Sequence, residues 1–294
     1  MTGAEIADAK IDAFALLEMA SGVNRTTFLL SPAKEINEQQ IHCYKELIAK
    51  RAEHVPCQYL TGTCEFMGYP FEVNSSVLIP RQDTETLVEE VLKILPENPM
   101  RDVLSKKTGT AKTEENSETA TSDRKESVRV LDMCTGSGAI GIALQCFRPD
   151  IEVTAADISP DALDVAKKNC GTNHCRIDFV QSDLFEAISI DRKFDAIVSN
   201  PPYVSDEEYE CLMPEVKNHE PALALKAGEK GLDIYERLIP EAVKHLKKES
   251  FLALEIGCGQ KEAVSELMEK AGFTKIKAVK DLAGLDRVII GWLL

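Results

Sequence analysis

Apolar positions in the first 57 residues recur at three- and four-residue steps: Ile6, Ile11, Phe14 and Leu17, then Ile41, Tyr44, Leu47 and Ile48, with polar residues between. Such spacing gathers apolar side chains on one face of each helix and predicts a small helical bundle. Nothing in the bundle carries recognisable chemistry. The alternation Phe71-Glu72-Val73, the break at Pro80 and the spacing of Leu87, Val88, Val91 and Leu92 then predict a hairpin and a connecting helix. Residues 97–127 differ: Lys, Thr, Glu, Ser and Asn dominate, and Val103 and Leu104 are the large aliphatics. A stretch so polar buries too little apolar surface to form a core, and predicts a flexible insertion.

From residue 128 the pattern changes period. Short apolar runs at 128–133, 151–158, 177–184, 194–199 and 251–256 read as buried strands, with helical segments such as 161–169 and 262–271 between them. This alternation predicts an α/β fold with a mainly parallel sheet and helices on both faces. Runs 275–279 and 287–292 predict an antiparallel edge pair. The chain thus divides into an N-terminal helical domain (1–75), a hairpin and linker helix (76–96), the polar insertion (97–127) and an α/β domain (128–294).

Composition narrows the partners. A net charge of −15 is a poor match for bare nucleic acid, whose affinity comes from Lys and Arg. No apolar run approaches the ~18 residues of a membrane span. The N-terminal residues lack the basic and apolar blocks of a signal peptide. Nine cysteines without a disulfide-like framework suit a reducing cytoplasm. Cys170, His174 and Cys175 cluster, but they lack a second ligand pair at zinc spacing, so no metal site is expected.

Chemistry enters at two strand ends. The first α/β strand runs into Cys134-Thr135-Gly136-Ser137-Gly138 and a helix opens behind it, so the backbone can approach a ligand closely. Asp157 ends the second strand 21 positions after Gly136, where a carboxylate would take both hydroxyls of an adenosine ribose. Asp183 would receive the adenine amino group, with Leu184 against the ring. This much fits NAD as well as other nucleoside cofactors. The fourth strand separates them, because it ends in Asn200-Pro201-Pro202-Tyr203. The prolines remove two backbone donors, so carbonyls there can face a cleft and dock a flat NH2 group beside an aromatic ring. Methyl transfer to a planar amino nitrogen has a use for that arrangement, and hydride transfer has none.

With these residues the chain resembles the bacterial-type release-factor glutamine methyltransferases, the PrmC/HemK family. The likeness extends through Gln58–Gly62, Glu65-Phe66-Met67-Gly68, Leu78–Val88, Glu220–Leu225, Gly231-Leu232-Asp233 and Asp281–Gly284. It implies a Rossmann-like class I methyltransferase domain with a seven-stranded sheet, and an N-terminal domain that docks the protein substrate. It also implies S-adenosyl-L-methionine as cofactor, held by Cys134, Thr135, Gly136, Ser137, Gly138, Asp157, Asp183, Leu184 and Asn200. Cys134 stands where the family often has glycine. The implied substrate is the glutamine of a Gly-Gly-Gln segment in peptide chain release factors, methylated on its side-chain nitrogen as part of translation termination. Asn200, Pro201 and Tyr203 would be catalytic. With Pro202 and Ile79 they would bind the glutamine, the acceptors being Asn200 Oδ1 and the Pro201 carbonyl. Leu78 and Pro80 would line the cleft, Arg81 and Asp83 would pair, and Glu255 would be structural. No histidine, His219 included, is given a catalytic role.

Three alternatives stay open. An adenine-N(6) DNA or RNA methyltransferase shares the amino-group chemistry but needs a basic groove. An NAD-binding oxidoreductase shares the glycine loop. A non-catalytic binding protein could retain the cofactor fold.

Overall fold

The computed structural model describes residues 6–31, 35–96 and 127–294. The polar stretch 97–127 lies outside them except for Ser127. Four helices come first: Ala9–Ser21, Arg25–Leu30, Glu38–Ala52 and Cys57–Thr61. Asn24 and Asn37 start the second and third by accepting from Thr27 and Gln40 backbone N–H groups, a role Asn fills because its short side chain reaches the free donors of a first turn. Leu16, Leu47 and Cys57 bury together at the centre. The inward face of the first helix passes through Asp12 and Leu16, whereas Ile11 is 71% exposed. Apolar spacing misjudged this face because a polar pair occupies it. Buried Arg51 donates to Asp12 Oδ2 at 2.7 Å and also reaches Glu215 Oε2 at 2.8 Å, tying the bundle to the far part of the chain.

Strands β1 (Thr63–Phe66) and β2 (Tyr69–Glu72) form a hairpin that takes in the alternation at Phe71-Glu72 and precedes the 76–96 segment. Met67 and Gly68 both take positive φ at its turn, the twist that suits two-residue hairpins. Phe66 and Phe71 meet edge-to-face, centroids 5.9 Å apart, and pack on Leu87, Val88 and Val91 of the helix Gln82–Ile94. The hairpin therefore shares its core with the α/β domain.

The main sheet holds β3 (Arg129–Met133), β4 (Glu152–Asp157), β5 (Ile177–Gln181), β6 (Phe194–Ser199), β7 (Leu246–Glu255), β8 (Thr274–Lys280) and β9 (Asp286–Leu293) in the order β5-β4-β3-β6-β7-β9-β8. The first five are parallel, and β9 runs antiparallel to both neighbours. The closing strands thus form the expected antiparallel pair at one end of the sheet, with β8 outermost and β9 inside it. Burial explains it, since Val288, Ile289 and Ile290 are wholly enclosed.

Alternation divides the strand side chains between two cores. Val130, Val153, Ala196 and Val198 face the helices Gln82–Ile94 and Ala139–Phe147. Leu131, Met133, Ala156 and Ile197 face Asp233–His245 and Lys261–Ala271. Each fully buried aliphatic contributes roughly 1.5–3 kcal/mol, and together they fix which strand ends lie side by side.

Arg51→Ala would leave Asp12 buried without its cation. The full chain should lose about 3 kcal/mol or more of stability in urea denaturation, and a loss below about 1 kcal/mol would show that the pair holds nothing together.

Candidate active site

The carboxyl ends of β3, β4 and β6 meet on one rim of the sheet, where open α/β sheets place their ligands. A cleft partly open to solvent lies over them.

Its floor is the turn after β3. Cys134, Gly136 and Gly138 all take positive φ, so the backbone coils tightly between strand and helix. Thr135 N–H donates to Ala156 O at 3.0 Å, and Gly136 N–H to Asp157 Oδ2 at 2.8 Å, fastening the loop to β4. Asp157 also accepts Ser159 N–H at 2.9 Å through Oδ1, which fixes its carboxylate on the rim. The two glycines differ in task. A Cβ on Gly136 would stand in open space, whereas one on Gly138 would sit 2.8 Å from Ile142 Cδ1. Gly138 therefore serves helix packing and does not line the cleft, unlike Cys134, Thr135, Gly136, Ser137, Asp157, Asp183, Leu184 and Asn200. Burial pushes the Cys134 thiol up to about 12, so the residue in the glycine position is neutral and unreactive. Asp183 lies just beyond β5 and pairs with Arg237 Nη2 at 2.9 Å, a cation on the cleft wall that no sequence pattern signalled.

At the end of β6, Asn200 and Pro202 line the cleft, while Pro201 is buried. Asn200 Nδ2 donates to Thr84 Oγ1 at 3.2 Å. Among the described residues, no donor occupies Asn200 Oδ1 or the Pro201 carbonyl. Tyr203 points behind the lining, its hydroxyl donating to Glu255 Oε1 at 3.2 Å. Ile79 is likewise buried, although Leu78 and Pro80 face the cleft. It contributes a backbone N–H, which donates to Glu220 Oε2 at 3.3 Å. Arg81 pairs with that same Glu220, and Asp83 faces Arg287 at 3.4 Å, so the expected Arg81–Asp83 pair is replaced by two longer-range ones. His219 contacts the Glu53 carbonyl at 3.2 Å, away from the cleft. Cys175 Sγ lies 3.4 Å from Cys146 Sγ, and Cys170 Sγ donates to the Cys175 carbonyl. Among the described residues no His, Cys, Asp and Glu group has the arrangement of a metal site.

Beneath the loop, Asp132 is fully buried. Its Oδ2 accepts Thr135 Oγ1 at 2.6 Å and Gly141 N–H at 2.9 Å, while Oδ1 has no partner among the described residues. Burial lifts its carboxyl to about 7 against those two hydrogen bonds. A carboxyl with a folded pKa above its unfolded one binds its proton better when folded. Its contribution is greatest below the unfolded value near ~4 and shrinks as pH climbs to about 7. Asp132→Asn should therefore flatten the decline of melting temperature over that window; an unchanged decline would assign it to other groups.

Known proteins with this arrangement can be compared directly. Residues 118–218 match the family profile described as Methyltransferase small domain, and residues 1–62 match the PrmC N-terminal domain. The catalytic domain of hMettl16 (TM-score 0.54, 15% identity, 83% of this chain and 81% of that one) shares the fold. So does the T. thermophilus 16S rRNA methyltransferase RsmC, solved with AdoMet and guanosine (TM-score 0.52, 17% identity, 79% and 50%). A release factor glutamine methyltransferase of Clostridium acetobutylicum is 38% identical over 95% of this chain and 90% of its own. Another, of Geobacter sulfurreducens, is 34% identical over 97% and 90%. Identity at this level along nearly the whole of both sequences carries the family with it, and the chain belongs to the release factor glutamine methyltransferases.

Proposed function

We propose that the protein transfers a methyl group from S-adenosyl-L-methionine to the side-chain amide nitrogen of the glutamine in the Gly-Gly-Gln segment of peptide chain release factors. The observation that carries this reading is the pair of acceptors at the end of β6, Asn200 Oδ1 and the Pro201 carbonyl, which take no donor among the described residues and follow the strand beside the Gly136–Asp157 corner.

The chain's residues fit the cofactor. The Cys134–Ser137 turn leaves open space above Gly136, Asp157 presents a fixed carboxylate for ribose hydroxyls, and Asp183 and Leu184 border the base end. When bound, S-adenosylmethionine supplies an electrophilic methyl group. An amide nitrogen is a weak nucleophile because its lone pair is delocalised. Asn200 and Pro201 would accept its two hydrogens, fix its orientation and oppose that delocalisation. Tyr203 supports the motif from behind. A strong electrophile needs no dedicated base, and the amide proton leaves to solvent after transfer.

The N-terminal helices would supply the docking surface for the release factor. Ile11, Met19, Phe28, Leu29 and Leu30 are exposed on them, apolar side chains open to a partner. The net charge of −15 fits a protein partner better than bare nucleic acid. The described residues include no helix long and apolar enough to cross a membrane. The cytoplasm, where translation takes place, is the compartment this reading requires.

Incubation of a release factor with the protein and S-adenosylmethionine should add one methyl group to the Gly-Gly-Gln glutamine, read by peptide mass spectrometry. No gain, with cofactor binding confirmed by calorimetry, would sink the proposal. Asn200→Ala should retain cofactor binding and lose ~10²-fold or more in turnover, as for removal of one preorganised polar contact.

A further inference from the structure

The base end of the cleft is built from the turn after β5. Ser182 N–H donates to the Asp157 carbonyl at 2.9 Å, which fastens the turn beside the carboxylate that faces the ribose. Leu184 takes a φ of +47, a left-handed conformation that is costly for a residue with a Cβ. With the chain so reversed, Asp183 and Leu184 both line the cleft. Strain of this kind persists only where the surrounding structure fixes it, and it gathers at ligand sites.

An aspartate in that place is not yet a recognition group. Its side chain is 34% exposed, and nothing in its own turn keeps the carboxylate from swinging out to solvent. Arg237 removes that freedom. It follows Ile234 by three residues on the helix Asp233–His245, which puts both on one face, and both line the cleft. Its Nη2 holds Asp183 Oδ1 at 2.9 Å, whereas Asp183 Oδ2 has no partner among the described residues. The pair thus commits one carboxylate oxygen and leaves the other for a ligand. A carboxylate only accepts, so the group that meets it must donate. The 6-amino group of adenine donates; the 6-oxo group of hypoxanthine does not.

We propose that Arg237 is a positioning residue that acts through Asp183 to select a 6-aminopurine over a 6-oxopurine in the cofactor site. This rests on the S-adenosylmethionine reading above. An ion pair with this much solvent on it adds little to stability. Its effect lies in which oxygen it leaves for the base.

The test is calorimetric binding of S-adenosylhomocysteine and its 6-oxo counterpart, S-inosylhomocysteine, to the full chain, without turnover. The wild-type protein should prefer the amino form by about tenfold or more. Arg237→Met keeps the apolar stem and removes the donors. It should weaken binding of the amino form about fivefold and leave the Kd of the oxo form within about twofold, so that most of the preference is lost. Arg237→Lys, which keeps the charge without the planar fork, should restore part of it. Asp183→Asn should abolish the preference, because an amide can turn either end to the base, and adding Arg237→Met to it should change little. A wild-type preference in Arg237→Met would overturn the proposal, as would a wild-type protein that binds both forms equally. Failure of the wild-type protein to bind either form would overturn the S-adenosylmethionine reading, and this proposal with it.

Discussion

Everything at the cleft depends on β3 pairing in parallel with β6. Met133 lies opposite Ser199, and the Ser199 hydroxyl donates to the Met133 carbonyl at 2.6 Å. That register brings the loop after β3 and the motif after β6 to the same height on the rim, although they lie more than sixty residues apart in sequence. A slip of one residue would exchange the two cores and turn Asn200 away from the cleft. The backbone ladder thus sets the distance between the two halves of the reaction.

The loop carries its own constraint. Asp132 and Asp157 are neighbouring carboxylates, one fully enclosed beneath the turn and one on the rim. Burial lifts both above the usual carboxylate range. The enclosed one organises the backbone through Thr135 and Gly141, and the rim one both fastens Gly136 and faces the cleft. Structure and recognition share the same side chains here.

Much of this was legible in the sequence. The switch of period at residue 128 announced the α/β domain, and Gly136, Asp157 and Asn200 could be assigned to one rim because each follows an apolar run. The family resemblance, read from those motifs, agrees with the relatives found. What escaped was nonlocal. The Arg81–Glu220 pair spans 139 residues and the Thr84–Asn200 contact 116, and no periodicity registers such distances. Gly138 looked like a ligand contact because a turn glycine and a packing glycine read alike. The inward face of the first helix was mistaken because a buried ion pair can take a position that spacing reserves for an aliphatic.

The Glu220 contacts have a mechanical consequence. One buried carboxylate receives the Ile79 N–H and the Arg81 guanidinium, so the segment bearing Leu78 and Pro80 is joined at its root to the segment bearing Pro221, Leu223 and Ala224. Both segments line the cleft. Joined in this way, the two segments cannot part without breaking a buried ion pair.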